Sequence, residues 1–152
     1  MLILRAATKR DLPEILAIEE ACFDDAWSAD SYAEFLGGRG NSFLVADDDG
    51  VCAGYVLARF AVDEFELLRI AVPAARRREG IGESLLSRVT RDFGDFLSAA
   101  GLEAGKGWLE VRSDNPAAIA LYRKIGFGDR SLRKDYYGPG ADALLMARDC
   151  FV

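Results

Sequence analysis

Residues 68–86 read Leu68-Arg69-Ile70-Ala71-Val72-Pro73-Ala74-Ala75-Arg76-Arg77-Arg78-Glu79-Gly80-Ile81-Gly82-Glu83-Ser84-Leu85-Leu86. The apolar start belongs to a strand read over residues 65–72, which Pro73 ends. Three consecutive arginines and a Gly-Ile-Gly turn follow. From Ile81, the residues Leu85, Leu86, Val89, Phe93 and Phe96 recur at amphipathic-helix spacing. Gly101, Gly105 and Gly107 break that pattern, and residues 108–112 read as the next strand. A strand, a helix and a strand joined this way form a crossover, which sets the two strands parallel.

The flanking sequence fills in the rest. Leu2 to Ala6 reads as a first strand. Thr8 caps a helix carrying Leu12, Ile15, Leu16 and Ile18 and ending near Phe23. Residues 24–27 form a loop, and Ser28 caps a short helix with the stripe Tyr32, Phe35 and Leu36. Residues 42–46 and 51–60 flank Asp47-Asp48-Asp49-Gly50 and read as a hairpin, so the second to fourth strands form an antiparallel meander. The acid triplet is read as a solvated turn, since a calcium loop needs a longer ligand series ending in Glu. After residues 108–112, Asp114 or Asn115 caps a helix with Pro116 at its first position and Ile119, Tyr122 and Ile125 on its buried stripe. Residues 127–133 and 143–148 are late strands around the loop 134–142. The expected fold is a single α+β (α/β) domain over residues 1–152. It has a mixed sheet of about seven strands and about four helices, with strands four and five parallel and splayed.

Composition narrows the chemistry. The 152 residues carry 19 Lys and Arg against 25 Asp and Glu, a formal charge of −6, and no His. An acidic balance argues against a broad phosphate-backbone partner such as nucleic acid. The lack of His removes Ser-His-Asp hydrolases, His-ligated zinc and Cys–His pairs. The three cysteines show no Cys-x-x-Cys spacing and read as reduced thiols. No apolar run reaches the ~18 residues of a membrane span, so a cytoplasmic protein without membrane contact is expected.

Two places invite chemistry. Arg77-x-x-Gly80-x-Gly82 before a helix offers free backbone N–H groups and a positive dipole end, which suits a phosphate. A tight structural turn reads the same way. No Gly-Lys-Ser/Thr follows, and Leu85 stands where a dinucleotide fingerprint has its third Gly. The second place is Trp108-Leu109-Glu110-Val111-Arg112. Alternation puts Glu110 with Trp108 and Arg112 on one face, either toward solvent or at the mouth between the parallel strands. Tyr122 reads equally as a core residue.

Together these segments resemble the GNAT superfamily of N-acetyltransferases. Arg77-x-x-Gly80-x-Gly82 is similar to its acetyl-CoA pyrophosphate motif, and residues 68–72 to its cofactor strand. Residues 108–115 and 118–127 resemble the RimI branch, whose members acetylate the N-terminal alanine of ribosomal protein S18. Residues 133–137, 143–146 and the Trp27-Ser28 pair fit the same pattern. The likeness covers nearly the whole chain and is specific in the second half. It implies acetyl-CoA as co-substrate, with no metal. Ile70, Ala71 and Val72 would meet the pantetheine arm and thioester. Arg78, Glu79, Gly80, Ile81, Gly82 and Glu83 would wrap the pyrophosphate, and Asn115 would hold the cofactor. Glu110 would be the general base and Tyr122 the general acid. Trp27, Tyr136 and Tyr137 would flank a groove for a protein N-terminal peptide, on a monomer or weak dimer. Ala26 stands where the branch usually has Pro, and Pro73 follows Val72 without the usual Asp. Other readings are transfer to a lysine or small amine, or an acetyl-CoA-binding module without turnover.

Overall fold

The computed structural model describes residues 1–38 and 40–152. Seven strands form one sheet: β1 (Leu2–Ala6), β2 (Asn41–Asp48), β3 (Val51–Ala61), β4 (Glu64–Ala71), β5 (Ala104–Arg112), β6 (Gly128–Arg133) and β7 (Ala143–Phe151). Four α-helices cover it: α1 (Leu12–Cys22), α2 (Ala29–Ala33), α3 (Ile81–Ala99) and α4 (Pro116–Lys124). The strand order is β1-β2-β3-β4-β5-β7-β6. Every neighbouring pair is antiparallel except β4 and β5.

Period-two alternation gives the sheet two apolar faces. In β2 and β3, Leu44, Ala46, Val56 and Ala58 join α3 and α4 in one core. Phe43, Val45, Tyr55 and Leu57 join α1 and α2 in a second. The α3 stripe closes the first core, with Leu85, Leu86, Val89 and Phe93 fully buried. The Phe93 ring meets Phe65 at 5.0 Å and Phe60 at 5.4 Å.

The hairpin is tighter than read from sequence. Asp47 and Asp48 pair within β2, and the turn is Asp49-Gly50, both with positive φ, as a two-residue turn that follows strand twist requires. The Asp47 carboxylate accepts from Arg5 Nε at 2.8 Å and from the Gly50 N–H at 2.7 Å. The second helix is shorter than expected, ending at Ala33, so Phe35 and Leu36 lie in the turn after it.

The largest correction concerns β5, which starts at Ala104 rather than Trp108. Gly105 and Gly107 lie inside the strand, not in a loop. A Cβ on Gly105 would collide with the Asp63 carbonyl oxygen, and one on Gly107 with the Phe65 ring. Both glycines let β5 close on β4, a use that a one-dimensional reading takes for a break.

Candidate active site

The parallel contact between β4 and β5 is brief. Glu64 pairs with Lys106, Phe65 with Gly107 and Glu66 with Trp108, and there pairing stops. Beyond that point β4 stays paired to β3 as far as Ala71, and β5 to β7 as far as Arg112. Each strand is held on its outer side, so residues 67–71 and 109–112 leave a wedge-shaped gap between them. The edges that face it carry main-chain groups without a strand partner, which a ligand can pair.

A bulge in β4 re-aims side chains beside that gap. Leu57 pairs with Arg69 and Ala58 with Leu67, leaving Leu68 as the extra residue. Ile70 and Val72 then pack with the α3 core, while Leu68 and Ala71 pack with the α1 core. The Val72 carbonyl accepts from Arg77 Nε at 3.2 Å.

The gap leads toward the start of α3. Gly80 caps that helix in a left-handed conformation, with φ +80°, and Arg78 also has positive φ. Among the described residues, none of the main-chain N–H groups of residues 78–83 has a protein acceptor. The first to do so is that of Ser84, which donates to the Gly80 carbonyl at 3.0 Å. Residues 78–80 are exposed, Gly82 and Glu83 are half-buried and Ile81 is buried. The Glu79 carboxylate is turned aside onto Arg76, with Nε–Oε2 at 3.0 Å. Glu83 pairs with Lys124 of α4 at 2.9 Å. The amides and the positive helix end fit a diphosphate.

Glu110 and Tyr122 approach the gap from opposite faces. Leu109 and Val111 lie in the α3 core, so Glu110 between them points to the other face. Its Oε2 is buried without a hydrogen-bond partner, and its Oε1 lies 3.6 Å from Arg133 Nη1. A buried carboxylate oxygen with spare acceptor capacity is what a proton acceptor needs. Tyr122 sits on the α3 side, 7% exposed, beside Phe127. Its hydroxyl bonds to none of the described residues. Burial, and then the charge of Tyr137, push its pKa well above the usual tyrosine value.

Tyr137 links the two sides. Its own pKa is raised by burial, then by Glu110, Tyr136 and Asp25. Tyr136 and Tyr137 meet edge-on at 5.1 Å in the loop between β6 and β7, with Arg133 over one ring and Arg112 over the other. Asn115 is the N-cap of α4, its Oδ1 accepting from the Ala118 N–H at 3.2 Å. Trp27 is half-buried, and its ring turns inward against Tyr32 at 5.3 Å rather than standing open in a groove.

Sequence reasoning missed a buried polar cluster beside this site. Glu19 of α1 is fully buried and accepts from the Tyr32 hydroxyl at 2.5 Å, the Tyr55 hydroxyl and the Trp27 N–H at 2.7 Å. The two hydroxyls share Oε1, and Arg69 Nη2 lies 3.2 Å from Oε2, the oxygen that accepts the Trp27 N–H. The sign was present, since Glu19 follows Leu12, Ile15 and Ile18 on the buried helical stripe. No group of three or more potential metal ligands occurs among the described residues, and none of their helices is long and apolar enough to cross a membrane.

Comparison with known proteins gives a consistent picture. Residues 12–127 match the model of the acetyltransferase (GNAT) family. The chain is 34% identical over 140 residues to the ribosomal protein bS18-alanine N-acetyltransferase of Escherichia coli K12, covering 90% of each chain. It is 36% identical over 151 residues to the N-alpha-acetyltransferase RimI of Mycobacterium tuberculosis, covering 95% of this chain and 90% of that one. The crystal structure of the Escherichia coli ribosomal-protein-S18-alanine N-acetyltransferase superimposes with a TM-score of 0.85 at 29% identity. That match covers 100% of this chain and 96% of that one.

Proposed function

The chain belongs to the acetyltransferase (GNAT) family and is an acetyl-CoA-dependent N-acetyltransferase; we propose that its acceptor is a protein N-terminal α-amine, that of the N-terminal alanine of ribosomal protein S18. The observation that carries the chemistry is the break in pairing after Glu66 and Trp108, with free amides at one end and Glu110 and Tyr122 on either side. The acceptor follows from the named relatives. A ribosomal substrate puts the enzyme in the cytoplasm.

Acetyl-CoA supplies an acyl group on a thiol leaving group. The amides of residues 78–83 would hold its diphosphate, and the free edge of β4 at Ile70 and Ala71 its pantetheine arm. Val72, whose carbonyl is already engaged by Arg77, contributes less than its neighbours. Asn115 closes the far side where β5 and α4 diverge. The edge that orients the arm also offers N–H groups to a carbonyl oxygen gaining negative charge.

An α-amine has a pKa of ~7.7–8.0 and a lysine ~10.4. Near neutral pH the former needs modest help, and Glu110 Oε2 takes its proton, directly or through water. Tyr122, on the α3 side, would offer its O–H to the sulfur. Burial moves this tyrosine further above a thiol's ~8.5. Tyr122 therefore stabilises the departing sulfur mainly by hydrogen bonding, and complete proton transfer is uphill. Tyr136, Tyr137 and the Trp27 loop flank the incoming peptide.

The test is release of free CoA over three acceptors: an N-terminal Ala-Arg peptide, the same peptide with a blocked α-amine and a free lysine, and spermidine. The first alone should turn over efficiently. Preference for the lysine or for spermidine would reject the acceptor assigned here, and binding of acetyl-CoA without turnover on any of them would reject catalysis.

A further inference from the structure

The mechanism above makes no use of the buried Glu19 carboxylate or of Arg69. Both are costly to bury, and Arg69 interrupts an otherwise apolar stretch of β4. The β4 bulge puts Arg69 on the α1 face, with its side chain 12% exposed. There its guanidinium lies 4.1 Å above the Phe23 ring and 5.2 Å from the Trp27 ring. Its Nη2 donates to the Asp25 main-chain carbonyl at 2.8 Å. Glu19 in turn accepts the Trp27 main-chain N–H. Thus one buried ion pair grips the loop 23–28 by two main-chain atoms and two rings.

The loop so held packs on the α1 face of the sheet, the face to which Glu110 points. Asp25 contributes to the raised pKa of Tyr137, and Asp24 acts on Arg112. A hydrophobic contact would have filled the same space at lower desolvation cost. Main-chain hydrogen bonds to a buried charge fix position as well as packing. We infer that Glu19 and Arg69 are positioning residues whose pairing sets the place of the loop 23–28 as the wall against which the acceptor peptide docks. The inference rests on the peptide reading above. Both side chains lie on the α1 face, away from the main-chain edge of β4 at Ile70 and Ala71, so the effect falls on the acceptor.

Three variants separate positioning from bulk stability. Glu19→Gln keeps an acceptor for the two tyrosines but turns an N–H toward the Trp27 N–H and leaves Arg69 only the exposed Asp25 carboxylate, with Oδ1 at 3.3 Å. Glu19→Gln with Arg69→Met removes the stranded charge, so much of the lost thermal stability returns. Arg69→Lys keeps a cation against Glu19 and loses the planar fork that reaches Asp25 and stacks on Phe23. Each should raise the KM for the Ala-Arg peptide by about ten-fold or more, with acetyl-CoA KM and its calorimetric affinity within about two-fold of wild type. In the double variant the peptide KM stays high although stability recovers. Recovery of peptide KM together with stability, or equal shifts in both substrates' KM, overturns the inference. So does a wild-type peptide KM in Arg69→Lys. Should Glu19→Gln fail to fold, Arg69→Lys carries the decision. Wild-type protein that acetylates no peptide brings down the acceptor reading and this inference together. Wild-type protein active on the peptide, with variants unchanged, brings down the inference alone.

Discussion

The proposed mechanism gives Glu110 and Tyr122 different tasks, and single substitutions tell them apart. Glu110→Gln removes a proton acceptor while preserving shape. Its kcat/KM should fall by about 10²-fold near pH 6.5, where the amine is mostly protonated, and the deficit should narrow above pH ~8. A rate equal to wild type across that range would make Glu110 structural. Tyr122→Phe deletes only a hydroxyl that none of the described residues holds, so stability and acetyl-CoA affinity should change little while kcat drops by about 10²-fold. The pH profile adds a check. Burial raises the Tyr122 pKa, and the proposed mechanism uses its neutral form. Wild-type rate should therefore show no descending limb up to pH ~10, the ordinary tyrosine value. A limb near pH 9 that vanishes in Tyr122→Phe would contradict the assigned environment. At this scale the sequence was generous for Glu110, a carboxylate inside an apolar strand. It was poor for Arg69 and Tyr55, whose meeting with Glu19 requires the bulge and the pairing of β3 with β4.

Among the elements, β5 shows how a gap is built. Gly105 and Gly107 bring its first half against β4, and after Trp108 the strands part. Gly107→Ala would set a methyl against the Phe65 ring and should cost about 1–3 kcal/mol in urea unfolding, with weaker acetyl-CoA binding as the strands separate early. Unchanged stability would mean that β5 pairs more loosely than described. The two glycines look like helix-ending punctuation in sequence, because their reason is a neighbour distant along the chain. In contrast, α3 and α4 were legible from spacing and caps, which are local. At the other edge, Arg5 of β1 donates to both Asp11 oxygens at 2.8 Å and holds that carboxyl below its usual range. Its folded pKa lies below the unfolded one, so this stability is present above pH ~4 and is lost as pH falls through the depressed value. Arg5→Met should accordingly be less stable than wild type at pH 7, with the difference shrinking toward pH 3. A constant difference across that range would remove the ion pair as its cause.

For the molecule as a whole, the order of elements and the crossover between β4 and β5 were readable because each rests on periodicity, caps and connection rules. The insertion of β7 between β5 and β6 was not, since strand order within a sheet leaves no local mark. That insertion matters for function: pairing with β7 holds β5 on its outer side, so the inner side can stay open. In the proposed mechanism one sheet presents the acyl donor and the acceptor amine to the same gap, with Glu110 accepting the amine proton and Tyr122 hydrogen-bonding the departing sulfur. The most direct measurement is mass spectrometry of the N-terminal peptide of ribosomal protein S18, incubated with the enzyme and acetyl-CoA, with the modified nitrogen located by fragmentation. The account predicts one acetyl group on the alanine α-amine and none on any side chain. Acetylation of a side-chain amine, or an unmodified peptide in the presence of enzyme that turns over another amine, would contradict it.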